Sequence, residues 1–203
     1  MSRILAISGS LRSESFNTAL LNALQAYAPE GMHIEVFKGL DELPHFNQDL
    51  EADVPASVVA FREAIAQADG LIISTPEYNR GIPGVLKNAI DWASRPYAQG
   101  VLAAKNVVAI SASPGVQGGI RALVELKSLL RDINNYVVSG PEIAVPEVHT
   151  RLGVEADVQY VLTDPATVGM VRHVLVGLQD AIDTNAGALV ARPLGAWAAS
   201  LQG

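Results

Sequence analysis

The stretch Gly9–Asn17, reading GSLRSESFN, gathers the hydroxyls of Ser10, Ser13 and Ser15 around the guanidinium of Arg12. It follows the apolar run Ile4–Ile7 and precedes a helical pattern. The first N–H groups of a helix lack intrahelical partners, and the helix dipole favours negative charge there. Hydroxyl donors and a guanidinium fork in that position suit a phosphate monoester. Gly9 allows the turn out of the strand, and Glu14 should face solvent. The stretch is neither G-x-G-x-x-G nor a Walker A loop. Taken alone it reads equally as a plain N-cap at Ser15 with Arg12 on the surface. Two further turns carry candidates. Pro76–Gly84, reading PEYNRGIPG, offers Glu77, Tyr78 and Asn79 between stiffening prolines. Such a loop can wall a flat heteroaromatic ring, or it can be a shaped loop with Tyr78 half-buried. Ser113–Gly119, reading SPGVQGG, can let its backbone approach a ligand, or it can simply lead into a helix. No residue is assigned a catalytic role. His33, His45, His149 and His173 are scattered without metal-ligand spacing, so no metal is expected. A phosphate site and a ring site without an acid–base team suit a cofactor that performs the chemistry itself.

The elements that would position these turns alternate between strand and helix. Strands are expected at Arg3–Ser8, His33–Phe37, Gly70–Thr75 and Asn106–Ser111, with a fifth in Tyr136–Val145 broken at Gly140-Pro141. Helices are expected at Asn17–Ala28, from a cap at Asp53 with Pro55 in the first turn, and at Val85–Ser94, Ile120–Asn134 and Pro165–Thr184. The segment Pro146–Asp164 fits neither period. Five strand–helix alternations imply a parallel sheet covered on both faces, a three-layer doubly wound α/β fold. The three turns follow strands one, three and four, at the sheet end where such folds bind ligands. Their convergence favours a phosphate-bearing ligand over three unrelated loops. Residues 1–185 read as one domain and 186–203 as a tail. Helix three carries Val85, Leu86, Ala89, Ile90, Trp92 and Ala93, more apolar surface than one stripe requires, which predicts self-association through Ile90 or Trp92.

Bulk properties narrow the class. The chain has 203 residues, 49% of them hydrophobic and 17% charged, enough to bury a sizeable core. A net charge of −7 argues against a nucleic-acid or anionic-membrane partner. The absence of cysteine excludes disulfides and thiolate chemistry. No run is long enough for a membrane span or a signal peptide, and a cytoplasmic protein is expected.

GSLRSESFN, PEYNRGIPGVLKNAIDW at Pro76–Trp92, SASPGVQGG at Ser111–Gly119 and LPHFNQDLE at Leu43–Glu51 resemble the NADPH-dependent FMN reductase family, the flavodoxin-like group that includes bacterial quinone and chromate reductases. The resemblance spans about Arg3–Asn185. It implies a flavodoxin-like sheet in the order 2-1-3-4-5 and a non-covalent FMN. By analogy Ser10, Arg12, Ser15 and Asn17 hold the phosphate, and Phe16 belongs to the same cofactor site. Pro76, Glu77, Tyr78 and Asn79 line the ring, with Ser113, Gly115 and Gly118 on its other side. Pro114 departs from the need for a backbone N–H in the third turn. The implied activity passes electrons from NADPH or NADH through FMN to a quinone or another small oxidant, in a homodimer or homotetramer to which helix three contributes. An electron carrier without nicotinamide oxidase activity is the alternative. A receiver-type domain fits poorly, because Gly9-Ser10 stands where an acidic metal pair belongs.

Overall fold

The computed structural model describes residues 1–97, 99–155 and 159–192. Five parallel strands form the sheet: β1 (Ser2–Ser8), β2 (Met32–Val36), β3 (Gly70–Thr75), β4 (Asn106–Ala112), and a fifth in two pieces, β5 (Tyr136–Val137) and β6 (Ala144–Val145). The order is β2-β1-β3-β4-β5, and β6 also pairs with β4. The expected break at Gly140-Pro141 therefore divides one edge strand. Every residue of β3 and β4 is buried, as central parallel strands covered on both sides must be.

Alternate strand residues face opposite layers. Leu5, Ile7, Leu71 and Ile73 pack with α2 (Ala56–Gln67), α3 (Gly84–Ala93) and α4 (Ile120–Asp132). Ile4, Ala6, Ile72 and Val108 pack with α1 (Phe16–Ala23) and α5 (Pro165–Asp183). This gives the three layers.

Several boundaries differ from expectation for local reasons. The first helix keeps α geometry only to Ala23 and tightens to a 3₁₀ turn over Leu24–Tyr27. Helix α2 is preceded by Pro55 in extended geometry, with no side-chain cap, so Asp53 does not cap it. The unassigned segment contains an antiparallel hairpin, β7 (Leu152–Glu155) with β8 (Gln159–Leu162). Residues 186–192 are helical, and the N–H of Gly187 donates to Oδ1 of Asn106 at 2.9 Å, which ties the start of the tail to β4. Pro193 and Trp197 lie outside the described residues.

The apolar surplus of α3 is covered within the chain. Trp92 and Ile90 are both buried. The connection from β2 to α2 lies over Trp92. Trp92 Nε1 and Asn88 Nδ2 both donate to the carbonyl of Pro44, at 2.8 and 3.0 Å, and the N–H of Phe46 donates to Asn88 Oδ1 at 2.7 Å. Phe46 meets the Trp92 ring edge-on at 5.0 Å. Ile90 and Trp92 therefore do not face a partner subunit. The Leu43–Glu51 loop covers Trp92, and Ile90 lies with Phe61, Ile65 and Leu102 inside the chain.

Candidate cofactor site

The turns after β1, β3 and β4 meet around one open cleft. Its floor comes from α1 and the end of β4, and its walls from the turn residues.

The first turn works as an anion cradle. Ser15 is the N-cap of α1 and accepts from the Thr18 N–H at 3.2 Å. Its hydroxyl proton remains available to a ligand. The N–H groups of Phe16 and Asn17 begin the helix and have no partner among the described residues. Ser10 and Arg12 line the same cleft, and Arg12 has no ion-pair partner among the described residues. Glu14 is exposed, as its sign requires. Gly9 lets the first turn lie close to its neighbours: a Cβ there would stand 3.0 Å from Leu86 Cδ2 and 3.3 Å from the Ser74 carbonyl oxygen.

Asn17 is buried and committed to the scaffold. Its Oδ1 accepts from Ser74 Oγ at 2.7 Å and from the Ala112 N–H at 3.2 Å, while its Nδ2 donates to the Ala112 carbonyl at 3.1 Å. One amide hydrogen is left for a ligand. Ser74 was not picked out from the sequence. The available signal was a polar residue ending an otherwise apolar central strand.

The second turn is a two-residue hairpin. Tyr78 and Gly81 exchange N–H···O bonds of 3.0 Å each way. Asn79 and Arg80 both adopt positive φ, 51° and 69°. Pro76 and Tyr78 line the cleft, with the Tyr78 side chain half exposed, whereas Asn79 projects beyond it. Glu77 borders the cleft, but its Oε2 accepts from the N–H groups of Arg121 and Ala122 at 3.0 and 3.4 Å. It caps α4, whose N-cap residue Gly119 has no side chain to do so.

In the third turn Ser113 lines the cleft, joined by Ala112 and Pro114. Ser113 Oγ accepts from the Gly115 N–H at 3.1 Å. Gly118 is buried away from the cleft: its φ is 62°, and a Cβ would stand 2.6 Å from the Ala144 carbonyl. Neither Gly115 nor Gly118 lines the cleft. The structure thus gathers Ser10, Arg12, Ser15, Phe16, Asn17, Pro76, Glu77, Tyr78 and Ser113 at one site, and sets Asn79, Gly115 and Gly118 outside it.

The donor set fits FMN. An unpaired guanidinium, hydroxyls and free helix N–H groups suit a dianionic phosphate. Pro76 and Tyr78 offer flat, partly apolar walls beside it. The shifted titrating groups, Arg62, Lys105 and Asp164, lie outside the lining. Among the described residues no cluster of His, Asp and Glu could hold a metal.

Comparison with known proteins agrees with this geometry. A family model described as NADPH-dependent FMN reductase matches residues 2–150. The chain is 38% identical over 156 residues to a 2-hydroxy-1,4-benzoquinone reductase of Burkholderia sp, covering 77% of this chain and 85% of that one. It is 38% identical over 178 residues to an NAD(P)H-dependent FMN reductase of Pseudomonas aeruginosa, covering 87% and 93%. Among solved structures it resembles FerB, a flavoenzyme NAD(P)H:(acceptor) oxidoreductase of Paracoccus denitrificans. The TM-score is 0.81 at 34% identity, covering 91% of this chain and 99% of that chain.

Proposed function

The chain belongs to the NADPH-dependent FMN reductase family, and on that premise we propose how its own residues serve the reaction. It is an FMN-dependent NAD(P)H oxidoreductase that passes electrons to quinones. The observation that carries the site assignment is the meeting of the Arg12 cradle and the Pro76–Tyr78 wall in one cleft. FMN, when bound, supplies the hydride and electron transfer. Arg12, Ser10 and the N-terminus of α1 bind its phosphate. Pro76 and Tyr78 orient the ring. Ser74 and Asn17 hold the cradle against the strands. Among the described lining residues the one carboxylate, Glu77, is occupied in capping α4, so the protein contributes positioning rather than a proton relay.

The electron-carrier alternative is not favoured, because the relatives are named as reductases of quinones and flavin. The acceptor is a small molecule. We further infer a cytoplasmic homodimer or homotetramer. Exposed Val116, just before α4, and Val124, within it, support self-association. A cytoplasmic site is supported by the need for NAD(P)H, and no helix among the described residues is long and apolar enough to cross a membrane.

The test is reconstitution. The purified chain should take up FMN stoichiometrically, and anaerobic addition of NADPH or NADH should bleach its visible absorbance. Failure to bind FMN at micromolar concentration would refute the site. Tight binding without bleaching would refute the reductase.

A further inference from the structure

Arg80 sits at the tip of the second turn and is spent on nothing in the fold. Its side chain is exposed and makes no hydrogen bond or ion pair among the described residues. The nearby carboxylates are engaged. Glu77 caps α4, and Glu125 accepts from the Ile82 N–H at 3.0 Å.

The backbone at Arg80 is unfavourable for arginine. A two-residue hairpin with both central residues at positive φ prefers glycine at the second. Arg80 holds φ at 69°, where its Cβ crowds the following carbonyl. The turn tolerates it because both ends are fixed. Tyr78 and Gly81 close the hairpin, and Glu125 anchors the residue beyond. A costly side chain displayed on a rigid tip points to a binding role.

The surroundings identify the ligand class. A guanidinium recognises phosphate through paired hydrogen bonds. Two residues earlier, the half-exposed Tyr78 ring lines the cleft and offers a face to a planar heterocycle. Arg80 does not line the cleft, so it stays free when the cradle around Arg12 is filled. We infer that Arg80 binds the phosphates of the nicotinamide dinucleotide while the nicotinamide enters the cleft beside Tyr78. This rests on the reductase reading above.

The test uses the full-length, FMN-loaded protein and two variants. Arg80→Gly removes the charge and relieves the backbone, while Arg80→Ala removes the charge and keeps the strain. Loss of a charged hydrogen bond should weaken NADP⁺ binding, read by flavin fluorescence, roughly 10- to 100-fold in both variants. The KM for NADPH should rise alongside, and its dependence on ionic strength should flatten. Reduced nicotinamide riboside has the same reacting ring and no phosphate, so its KM should barely move. The KM for benzoquinone should stay constant. Arg80→Gly should raise the melting temperature, and Arg80→Ala should not. Unchanged NADP⁺ affinity in Arg80→Gly would overturn the inference. So would equal losses for NADPH and the riboside, or a changed oligomeric state in light scattering, which would make Arg80 a subunit contact. If wild-type protein binds FMN but neither NADPH nor NADH bleaches it, the reductase reading fails, an outcome separate from silence of the Arg80 variants.

Discussion

The hydroxyl of Ser74 donates a 2.7 Å hydrogen bond to Oδ1 of Asn17, joining the exit of β3 to the first turn of α1. Asn17 is in turn bonded to the N–H and carbonyl of Ala112 at the end of β4. One carboxamide therefore ties the end of the first turn to the strand ends from which the second and third turns leave. Ser74 is fully buried and Asn17 nearly so. Ser74→Ala should destabilise the fold by about 1 kcal/mol, the usual net worth of a buried hydrogen bond. Asn17→Ala should cost more, since it strands the Ser74 hydroxyl and both Ala112 groups. The two losses should not add, because Ser74 acts on Asn17. Urea unfolding of the single and double variants measures this. Additive losses would show that the two residues work independently.

Glu77 makes the second prediction. Its carboxylate caps α4 through the Arg121 and Ala122 N–H groups and lies 3.6 Å from the Arg121 guanidinium. Removing a helix cap costs about 0.5–2 kcal/mol. Glu77→Ala should fall in that range and Glu77→Gln near its lower end, since the amide oxygen still accepts. Apo-protein unfolding separates this from a ring contact. If both variants unfold like wild type but bind FMN less tightly, Glu77 serves the ligand and not the helix.

The distinction between Glu77 and Arg12 marks how far the sequence could be read. Strand β3 is legible to the residue, because an apolar run bounded by Asp69 and Pro76 leaves no other place for it. The cradle is legible because its parts are adjacent in the chain and follow a strand. Glu77 is not, because its partners lie 44 and 45 residues away at the start of a separate helix. The same holds for Trp92. Its spacing on α3 suggests an outward face, and only the path of Pro44 and Phe46 across it shows that the face is covered. The β7–β8 hairpin escaped notice because each strand is only four residues long, too short to display a period.

Asp164 provides the pH prediction. It is the N-cap of α5, accepting from the Thr167 N–H and hydroxyl, and it pairs with Arg151 at 2.8 Å. The Thr167 hydroxyl bond first, then the Thr167 N–H, hold its carboxyl below the ordinary carboxylate range, with burial opposing them and Arg151 adding to them. A depressed folded pKa stabilises the fold above the unfolded value, about 3.9, and that contribution fades as pH falls through the folded value. Asp164→Asn keeps the cap's shape and removes its charge. Its melting temperature should lie below wild type at pH 7, and the gap should narrow as pH falls below about 4. A gap of constant size down to pH 2 would mean that shape rather than charge matters at this cap.

The last prediction isolates the phosphate end of the cleft. Arg12 lines it without a carboxylate partner among the described residues, and the free N–H groups of Phe16 and Asn17 face the same task. If the guanidinium contacts the FMN phosphate, Arg12→Ala removes a charge-assisted hydrogen bond of about 1.5–3 kcal/mol. At about 1.4 kcal/mol per tenfold, FMN affinity should fall roughly 10- to 150-fold. Riboflavin has the same ring and no phosphate, so its affinity should hold. The helix N-terminus and the Ser10 and Ser15 hydroxyls remain in the variant, so some preference for FMN over riboflavin should survive. Arg12 is exposed and outside the core, so the variant should melt like wild type. The four dissociation constants, two proteins by two ligands, form a cycle whose coupling energy is the phosphate's share of the Arg12 effect. Flavin fluorescence at fixed ionic strength measures them. Equal weakening of both ligands would assign Arg12 to the ring or to the turn itself. No weakening of either would leave the phosphate to the serines and the helix N-terminus alone.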